Sequence, residues 1–335
     1  MSDKVLTLEQ TRQMAVKALT NHRTSPENAV MVAEALVAAE AEGQKGHGLS
    51  RLPSYCAQAA SGKVDGFAKP IVKPAALAAL RVDAGNGFAY PAMALAVEKL
   101  AELAPGTGIA AAAVHHSHHC GMAGYHVEAL ARRGMVGMLF ANTPQAIAPW
   151  GGNQGLFGTN PIAFCVPREG HAPMVIDLSL SKVARGKIMF AKQEGQAIPE
   201  GWALDSQGEP TTDPKAALGG TMLPMGDAKG AALVLMVEIL AAALTGANFG
   251  FEASSFFEAG GEPPSVGQLL IALAPGPLSG DHFAKRLETL LEAILAQPGT
   301  RLPGDRRLGL REKARQQGIA LSETQYEQLQ RLCAA

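Results

Sequence analysis

Ile109-Ala110-Ala111-Ala112-Ala113-Val114 runs without a polar residue into His115-His116-Ser117-His118-His119-Cys120-Gly121. A short apolar run closed by polar residues and a glycine reads as a buried strand ending in a turn. Similar runs occur at 80–82, 136–140, 161–166, 174–176 and 268–273. Helical patterns fill the intervals at 91–103, 124–133 and 228–244. In 281–295, Phe283, Leu287, Leu290, Leu291 and Ile294 share one helical face. The chain from about residue 73 is therefore mixed α/β. No internal repeat is visible, and Gly260-Gly261-Glu262-Pro263-Pro264 reads as a surface loop.

The two ends are helical. Thr7-Leu8-Glu9-Gln10 has capping-box spacing, and Ser25-Pro26-Glu27 starts a second helix with proline at its first position. Val30, Ala33, Leu36 and Val37 recur at helical spacing before the stop at Gly43. Ser322-Glu323-Thr324-Gln325 is another capping box, followed by Tyr326, Leu329 and Cys333 on one face.

Composition narrows the class. The 335 residues are 47% hydrophobic and 18% charged, with a net charge of −1. That fits a globular protein and gives no electrostatic reason for a nucleic-acid or membrane partner. Met1-Ser2-Asp3-Lys4 leads into a polar amphipathic segment, unlike a signal peptide. The most apolar run, 231–244, holds Glu238 near its centre and reads as a buried helix, too short to span a bilayer. Cys56, Cys120, Cys165 and Cys333 form no CxxC pair and read as reduced thiols in a cytoplasmic protein.

Gly46-His47-Gly48-Leu49-Ser50-Arg51 follows the second helix directly. A histidine can hold or release a proton near neutrality, and an arginine can grip a carboxylate through two parallel hydrogen bonds. The pair suits an enzyme acting on a small carboxylated substrate; the alternative is a helix-terminal loop with a solvated arginine. The His115–His119 cluster has imidazoles and a nearby thiol, the ligands zinc takes. On an extended segment neighbouring side chains point to opposite faces, so few of them converge, and no metal is expected. The other reading is a turn that brings one or two imidazoles into a cleft.

Phe157-Gly158-Thr159-Asn160-Pro161 is either a turn or a place where backbone and side chain approach a ligand. Arg301-Leu302-Pro303-Gly304-Asp305-Arg306-Arg307 reads as a loop around a Pro-Gly bend, whose guanidiniums suit cofactor phosphates or face solvent. Lys229 stands at the start of the apolar helix, where an anion is favoured, or else points to solvent. No Gly-x-Gly-x-x-Gly opens a helix after a strand, and Walker A and Gly-x-Ser-x-Gly motifs are absent. A nicotinamide cofactor would need another fold.

Taken in order, several segments resemble the malate/L-lactate dehydrogenase-like family of NAD(P)-dependent oxidoreductases, which does not use a Rossmann fold. They are 46–51, 117–121, 157–164, Thr211-Thr212-Asp213-Pro214-Lys215, 223–230, Leu244-Thr245-Gly246-Ala247-Asn248-Phe249 and 301–304. Ser61-Gly62-Lys63-Val64-Asp65-Gly66 and 81–89 are similar to the branch that reduces Δ1-pyrroline-2-carboxylate and Δ1-piperideine-2-carboxylate. The resemblance implies a homodimer. It also implies a small helical domain, 1–72 joined by 305–335, beside an α/β cofactor-binding domain with a mixed sheet, 73–304. It makes His47 the proton donor, Arg51 the carboxylate ligand and Thr159 a substrate contact. His119, Cys120, Gly121, Met122 and Ala123 would line the cofactor site, with Asp177, Leu178, Ser179, Ala228 and Lys229. Arg301, Gly304, Arg306 and Arg307 would complete it. NADPH is expected ahead of NADH.

Two positions depart from the imine-reducing pattern, which has serine in place of Gly46 and aspartate in place of Lys187 as a relay behind the histidine. Ala184-Arg185-Gly186-Lys187 is more like the keto-acid and hydroxy-acid dehydrogenases, some of which use the histidine matching His119. The leading expectation is a cyclic-imine reductase. The second is a 2-hydroxy-acid dehydrogenase for lactate, malate, ureidoglycolate or sulfolactate, with Lys45 as a candidate cation for a second carboxylate. The third, from another class, is a His-cluster metal-binding or interaction protein.

Overall fold

The computed structural model describes residues 3–334; Met1 and Ser2, part of the leader reading, lie outside the described residues. Its centre is a seven-stranded sheet of β1 (Ile71–Ala76), β2 (Ala79–Asp83), β3 (Ile109–Ser117), β4 (Val136–Ala141), β5 (Ile162–Val166), β6 (Met174–Leu178) and β7 (Val266–Leu273). The spatial order is β1-β2-β3-β7-β4-β5-β6. Only β2 and β3 are parallel, and the helix Ala89–Thr107 makes their crossover. Pro74 is tolerated in β1 because that strand is an edge, where a missing N–H breaks no ladder.

Both faces of the sheet are covered, which is why its central strands are apolar throughout rather than alternating. Leu270 and Ala272 of β7 join one core with Met93, Val97 and Leu100, and with Val127 and Leu130 of the helix Ala123–Ala131. Leu269 and Ile271 face the opposite core with Ile147, Leu180, Val234 and Val237.

A third core joins the chain ends. Leu19 of α1 (Leu8–Asn21), Leu36 of α2 (Pro26–Ala41) and Tyr55 of α3 (Leu52–Ser61) pack with Ile319, Leu321 and Leu329. Lys4–Leu6 pairs antiparallel with Ile319–Leu321. Thr7 caps α1 in the expected reciprocal box, and Ser25 caps α2. Glu42 and Glu128 are bridged by Arg307 and Arg311 of the helix Asp305–Gln317, which clamps the C-terminal segment onto α2.

Several elements differ from the sequence reading. The strand expected at 109–114 continues to Ser117, because a bulge carries it through His115 and His116. Residues 301–307 are not all loop: a helix begins at Asp305, so Arg306 and Arg307 lie in its first turn. The apolar run is α-helical over Asp227–Glu238 and continues as a π-helical turn, Ile239–Ala243. It is not a buried helix all round, since Leu235, Met236, Ile239 and Leu244 are exposed. Among the described residues no helix is long and apolar enough to cross a membrane. All four cysteines are free and buried.

Because the Glu42 side chain is fully buried between two guanidiniums, Glu42→Ala should lower unfolding free energy by about 3 kcal/mol, the cost of orphaning a buried charge. Glu312→Ala, which breaks only the exposed Arg315 pair and an exposed hydrogen bond from Gln316, should change it by less than about 1 kcal/mol in the same urea titration.

Candidate active site

After α2 the chain makes two tight 3-10 turns, Lys45–His47 and Leu49–Arg51. The Glu40 carboxylate accepts the Leu49 N–H at 3.0 Å, and a Cβ at Gly48 would collide with that carboxylate. Gly48 is thus required for the turns to close on α2. Arg51 Nε donates to the Gly46 carbonyl at 2.7 Å, which fixes the guanidinium beside His47.

The second half of the site comes from β3. Ser117 pairs with Val266 and Val114 with Gln268, so His115 and His116 together oppose Gly267. Such a bulge re-aims the side chains that follow it. His118 is buried, with Nε2 2.7 Å from Gln58 Oε1, and holds the strand end against α3. His119 Nε2 lies 3.3 Å from His47 Nδ1, with the two rings stacked at 5.3 Å between centroids. On its other side His119 Nδ1 is 2.6 Å from the Tyr55 hydroxyl, which is 3.1 Å from that of Tyr90. Both expected histidines are therefore in contact and extend into two buried phenols.

Burial, and then the positive Arg51, push His47 down to about 4. The same causes in the same order push His119 well below its ordinary value. Burial raises both tyrosines. At neutral pH the chain His47–His119–Tyr55–Tyr90 is uncharged, with imidazoles in their base form. Arg51 is the opposite case. It forms no ion pair among the described residues, its Nη1 is buried without a hydrogen-bond partner, and its guanidinium lies 4.3 Å over the Phe257 ring. A desolvated cation left unpaired is unfavourable until an anion joins it. Lys63 Nζ holds the Phe257 loop by donating to the Ser255 and Glu258 carbonyls.

The sheet register brings further expected residues to the same end. Leu178 pairs with Ile162, Ile162 with Phe140, and Ala141 with Gln268. The ends carrying His119, Asn142, Thr159 and Ser179 therefore lie along one edge. Four inter-strand steps of about 4.8 Å put β3 and β6 about 19 Å apart, a span that suits an extended dinucleotide. Thr159 N–H donates to Thr143 Oγ1 at 3.0 Å. Its carbonyl accepts from Leu180, whose own carbonyl accepts from Met225, which ties Ala228 and Lys229 to this edge. Beneath Thr159 the buried Glu238 accepts from Asn160, Asn142 and the Gly250 N–H.

Cys120, Gly121, Met122 and Ala123 are buried and lead into the helix Ala123–Ala131, with the Gly121 backbone against the Tyr90 hydroxyl. Asp177 accepts the Gly124 N–H at that helix start, at 2.7 Å. Gly304, at φ +90°, lies against the Val175 carbonyl, so the 301–304 segment abuts β6. Arg301, Arg306 and Lys229 are exposed and make no ion pair among the described residues. Arg307 is different: Glu42 and Glu128 already neutralise it. Gly46 and Lys187 are exposed, and among the described residues neither is a side-chain hydrogen-bond partner of His47. Tyr55, Tyr90 and Glu238 were not anticipated; Tyr55 alone had a signal, standing four residues after Arg51 on the same helical face.

The fold and this edge define a dehydrogenase-type oxidoreductase without a Rossmann unit. A malate/L-lactate dehydrogenase family model matches residues 6–330, and the chain belongs to that family. It is 52% identical over 326 residues to a (2R)-3-sulfolactate dehydrogenase (NADP(+)) of Chromohalobacter salexigens, covering 97% of each chain. It is 44% identical to a Δ1-pyrroline-2-carboxylate/Δ1-piperideine-2-carboxylate reductase of Pseudomonas syringae, over 93% of this chain and 91% of that one. The crystal structure of a Δ1-piperideine-2-carboxylate reductase from that species superposes with TM-score 0.93 at 42% identity, covering 98% and 99% of the two chains.

Proton NMR of the free protein should show His47 titrating near pH 4, with no imidazole of the pair charging around pH 6–7. Arg51→Gln removes a cation that disfavours imidazolium, so the His47 midpoint should move up. A midpoint unchanged by the substitution would dissociate the two groups. Glu238→Ala, which leaves the buried Gly250 N–H without its acceptor and takes one of two acceptors from each of the Asn142 and Asn160 amides, should destabilise the fold by about 3 kcal/mol in urea unfolding.

Proposed function

We propose that this protein is a nicotinamide-dependent dehydrogenase that interconverts a small 2-hydroxy carboxylate and its 2-oxo acid, 3-sulfolactate and 3-sulfopyruvate being the first pair to test. The observation that carries the reading is the Arg51 guanidinium, without an ion pair among the described residues, beside two contacting, uncharged imidazoles that no carboxylate among those residues backs. Similarity to the sulfolactate dehydrogenase over nearly the full chain supports the substrate class and NADP(H) ahead of NAD(H). The exposed Lys229, Arg301 and Arg306 and the edge spanning β3 to β6 suit a phosphate-bearing dinucleotide.

Lys229, Arg301 and Arg306 would hold the phosphates of a nicotinamide dinucleotide along this edge, and the cofactor would supply or take the hydride at the substrate's C2. Arg51 holds the C1 carboxylate by paired hydrogen bonds, which orients C2 and converts an encounter into reacting geometry. In the oxidative direction a neutral imidazole of the pair takes the hydroxyl proton as C2 gives up hydride, leaving the 2-oxo acid. In the reductive direction the carboxylate of the arriving oxo acid offsets the Arg51 charge. That raises proton affinity at both imidazoles and loads the proton the forming hydroxyl needs. Thr159 contacts substrate from the facing strand end, and the protein acts as a homodimer. The exposed Leu235, Met236, Ile239 and Leu244 face supports the homodimer.

Reduction of cyclic imino acids is the second reading, favoured by the 42–44% identical reductases. Reduction there proceeds best through a protonated nitrogen. Among the described residues no anionic side chain contacts the histidine pair, and the carboxylate of an imino acid would act on Arg51 as that of an oxo acid does. It is the higher identity to the sulfolactate dehydrogenase that ranks this reading second.

The test is NADPH or NADH oxidation with 3-sulfopyruvate, oxaloacetate and pyruvate beside the two cyclic imines. Keto-acid turnover with kcat/KM well above that for imines is expected; turnover confined to imines overturns the first reading. His47→Ala should lower kcat by about 10²–10⁴-fold, the usual worth of a positioned acid or base. Arg51→Ala should act mainly through KM. Near-native turnover by His47→Ala would transfer the acid/base role to His119.

A further inference from the structure

Asp83, His115 and His116 form a polar cluster that the reaction above does not use. Asp83 closes β2 and pairs in register with His115 on β3. Alternation along a strand would turn His116 to the opposite face, but the bulge opposite Gly267 and a left-handed φ of 47° at His116 defeat it. The two rings meet at 4.6 Å between centroids. His115 Nδ1 is 3.2 Å from His116 Nδ1, which is 3.0 Å from Asp83 Oδ1. All three potential ligand atoms lie within 4.8 Å of one another.

Proton counting makes this cluster unusual. Asp83 Oδ1 already accepts the Gly85 N–H, and as a carboxylate it has no proton to give. If His116 Nδ1 carries a proton, that one proton faces both Asp83 and the second imidazole nitrogen. If it carries none and accepts from His115, its lone pair faces the carboxylate. No neutral tautomer gives each contact its own hydrogen bond. A cation at the centre would satisfy all three lone pairs at once. Zinc–nitrogen and zinc–oxygen bonds of about 2.05 Å imply tetrahedral edges of about 3.3 Å, close to the two short spacings seen.

We propose that Asp83, His115 and His116 bind one divalent transition-metal ion of the zinc type, with water completing the coordination. Two imidazoles and one carboxylate select such an ion over calcium or magnesium, which prefer all-oxygen sites. The Asp83 and His116 side chains are 40% and 48% exposed, so an ion reaches them without opening the core. Once bound, it would cross-link the end of β2 to the bulge that leads to His118 and His119. The His47–His119 pair and Arg51 take no part.

The test uses full-length protein stripped with a chelator and then titrated calorimetrically with zinc chloride. One ion per chain and a raised Tm on loading are expected. Asp83→Asn and His116→Gln should each weaken binding at least about 10-fold, the least that losing even an outer-sphere partner costs. Cobalt(II) loading of the unmutated protein should give visible ligand-field bands without a sulfur charge-transfer band, a readout independent of whether the variants fold. Absence of zinc binding, binding undiminished in His116→Gln, or a thiolate band from Cys120 would each overturn the assignment.

Discussion

Gly267 lies where three stretches of backbone meet, and both halves of the active edge depend on its having no side chain. A Cβ there would fall 1.9 Å from the Ala241 carbonyl and 2.4 Å from Thr245 Oγ1. On one side it faces the bulged pair His115–His116. On the other its N–H donates to Asn142 Oδ1 at 2.9 Å and its carbonyl accepts the Asn142 N–H. Asn142 in turn donates to Glu238, which also binds Asn160 beside Thr159. The π-helical turn Ile239–Ala243, which supplies Ala241 and leads directly to Thr245, is fitted to this same contact, as π-turns often are near functional sites. One residue thus sets the register that aims His119 and anchors the loop that presents Thr159.

Two groups of arginines in this molecule show how context decides what a buried cation is for. Arg307 and Arg311 are matched by Glu42 and Glu128, so their charge is spent on joining the C-terminal helix to α2. Among the described residues, Arg51 has only the Gly46 carbonyl and the face of Phe257 as partners. Neither supplies a negative charge, and both hold the guanidinium in a fixed plane. An arginine held but not neutralised has its orientation set before any anion arrives, which is what the proposed carboxylate role asks of Arg51.

Much of the secondary structure was legible. Capping boxes and apolar runs marked most helices and strands, because these signals are local. What the sequence hid was cooperative. The strand through His115 and His116 looked finished at Val114, since nothing local announces a bulge whose cause is Gly267, some 150 positions away. The same bulge undid the alternation argument against converging imidazoles. His47 and His119 were each visible as candidates, yet their contact needs α2, α3 and β3 to be packed together. Arg307 looked equal to Arg301 and Arg306 within one loop; a helix starting at Asp305 turns it inward to the two glutamates. Glu238 seemed a lone charge in an apolar run, and its partners come from three separate segments.

The uncharged chain His47–His119–Tyr55–Tyr90 and the charged Arg51 are best understood as one device. Charging an imidazole in this setting is opposed by burial and by the guanidinium field together. Burial cannot be reversed by a substrate, but on the proposed reading a carboxylate on Arg51 would offset the guanidinium field. Proton affinity at the histidines would then rise as the acid binds and fall as it leaves. The phenols beyond His119 stay protonated because burial raises both. They hold the imidazole in place without adding a competing charge. On the proposed reading, a carboxylate at Arg51 would lift the smaller of the two effects that hold the imidazoles neutral, burial being the larger. Binding ahead of protonation suits a reaction in which hydride and proton must go to neighbouring atoms of the same small anion.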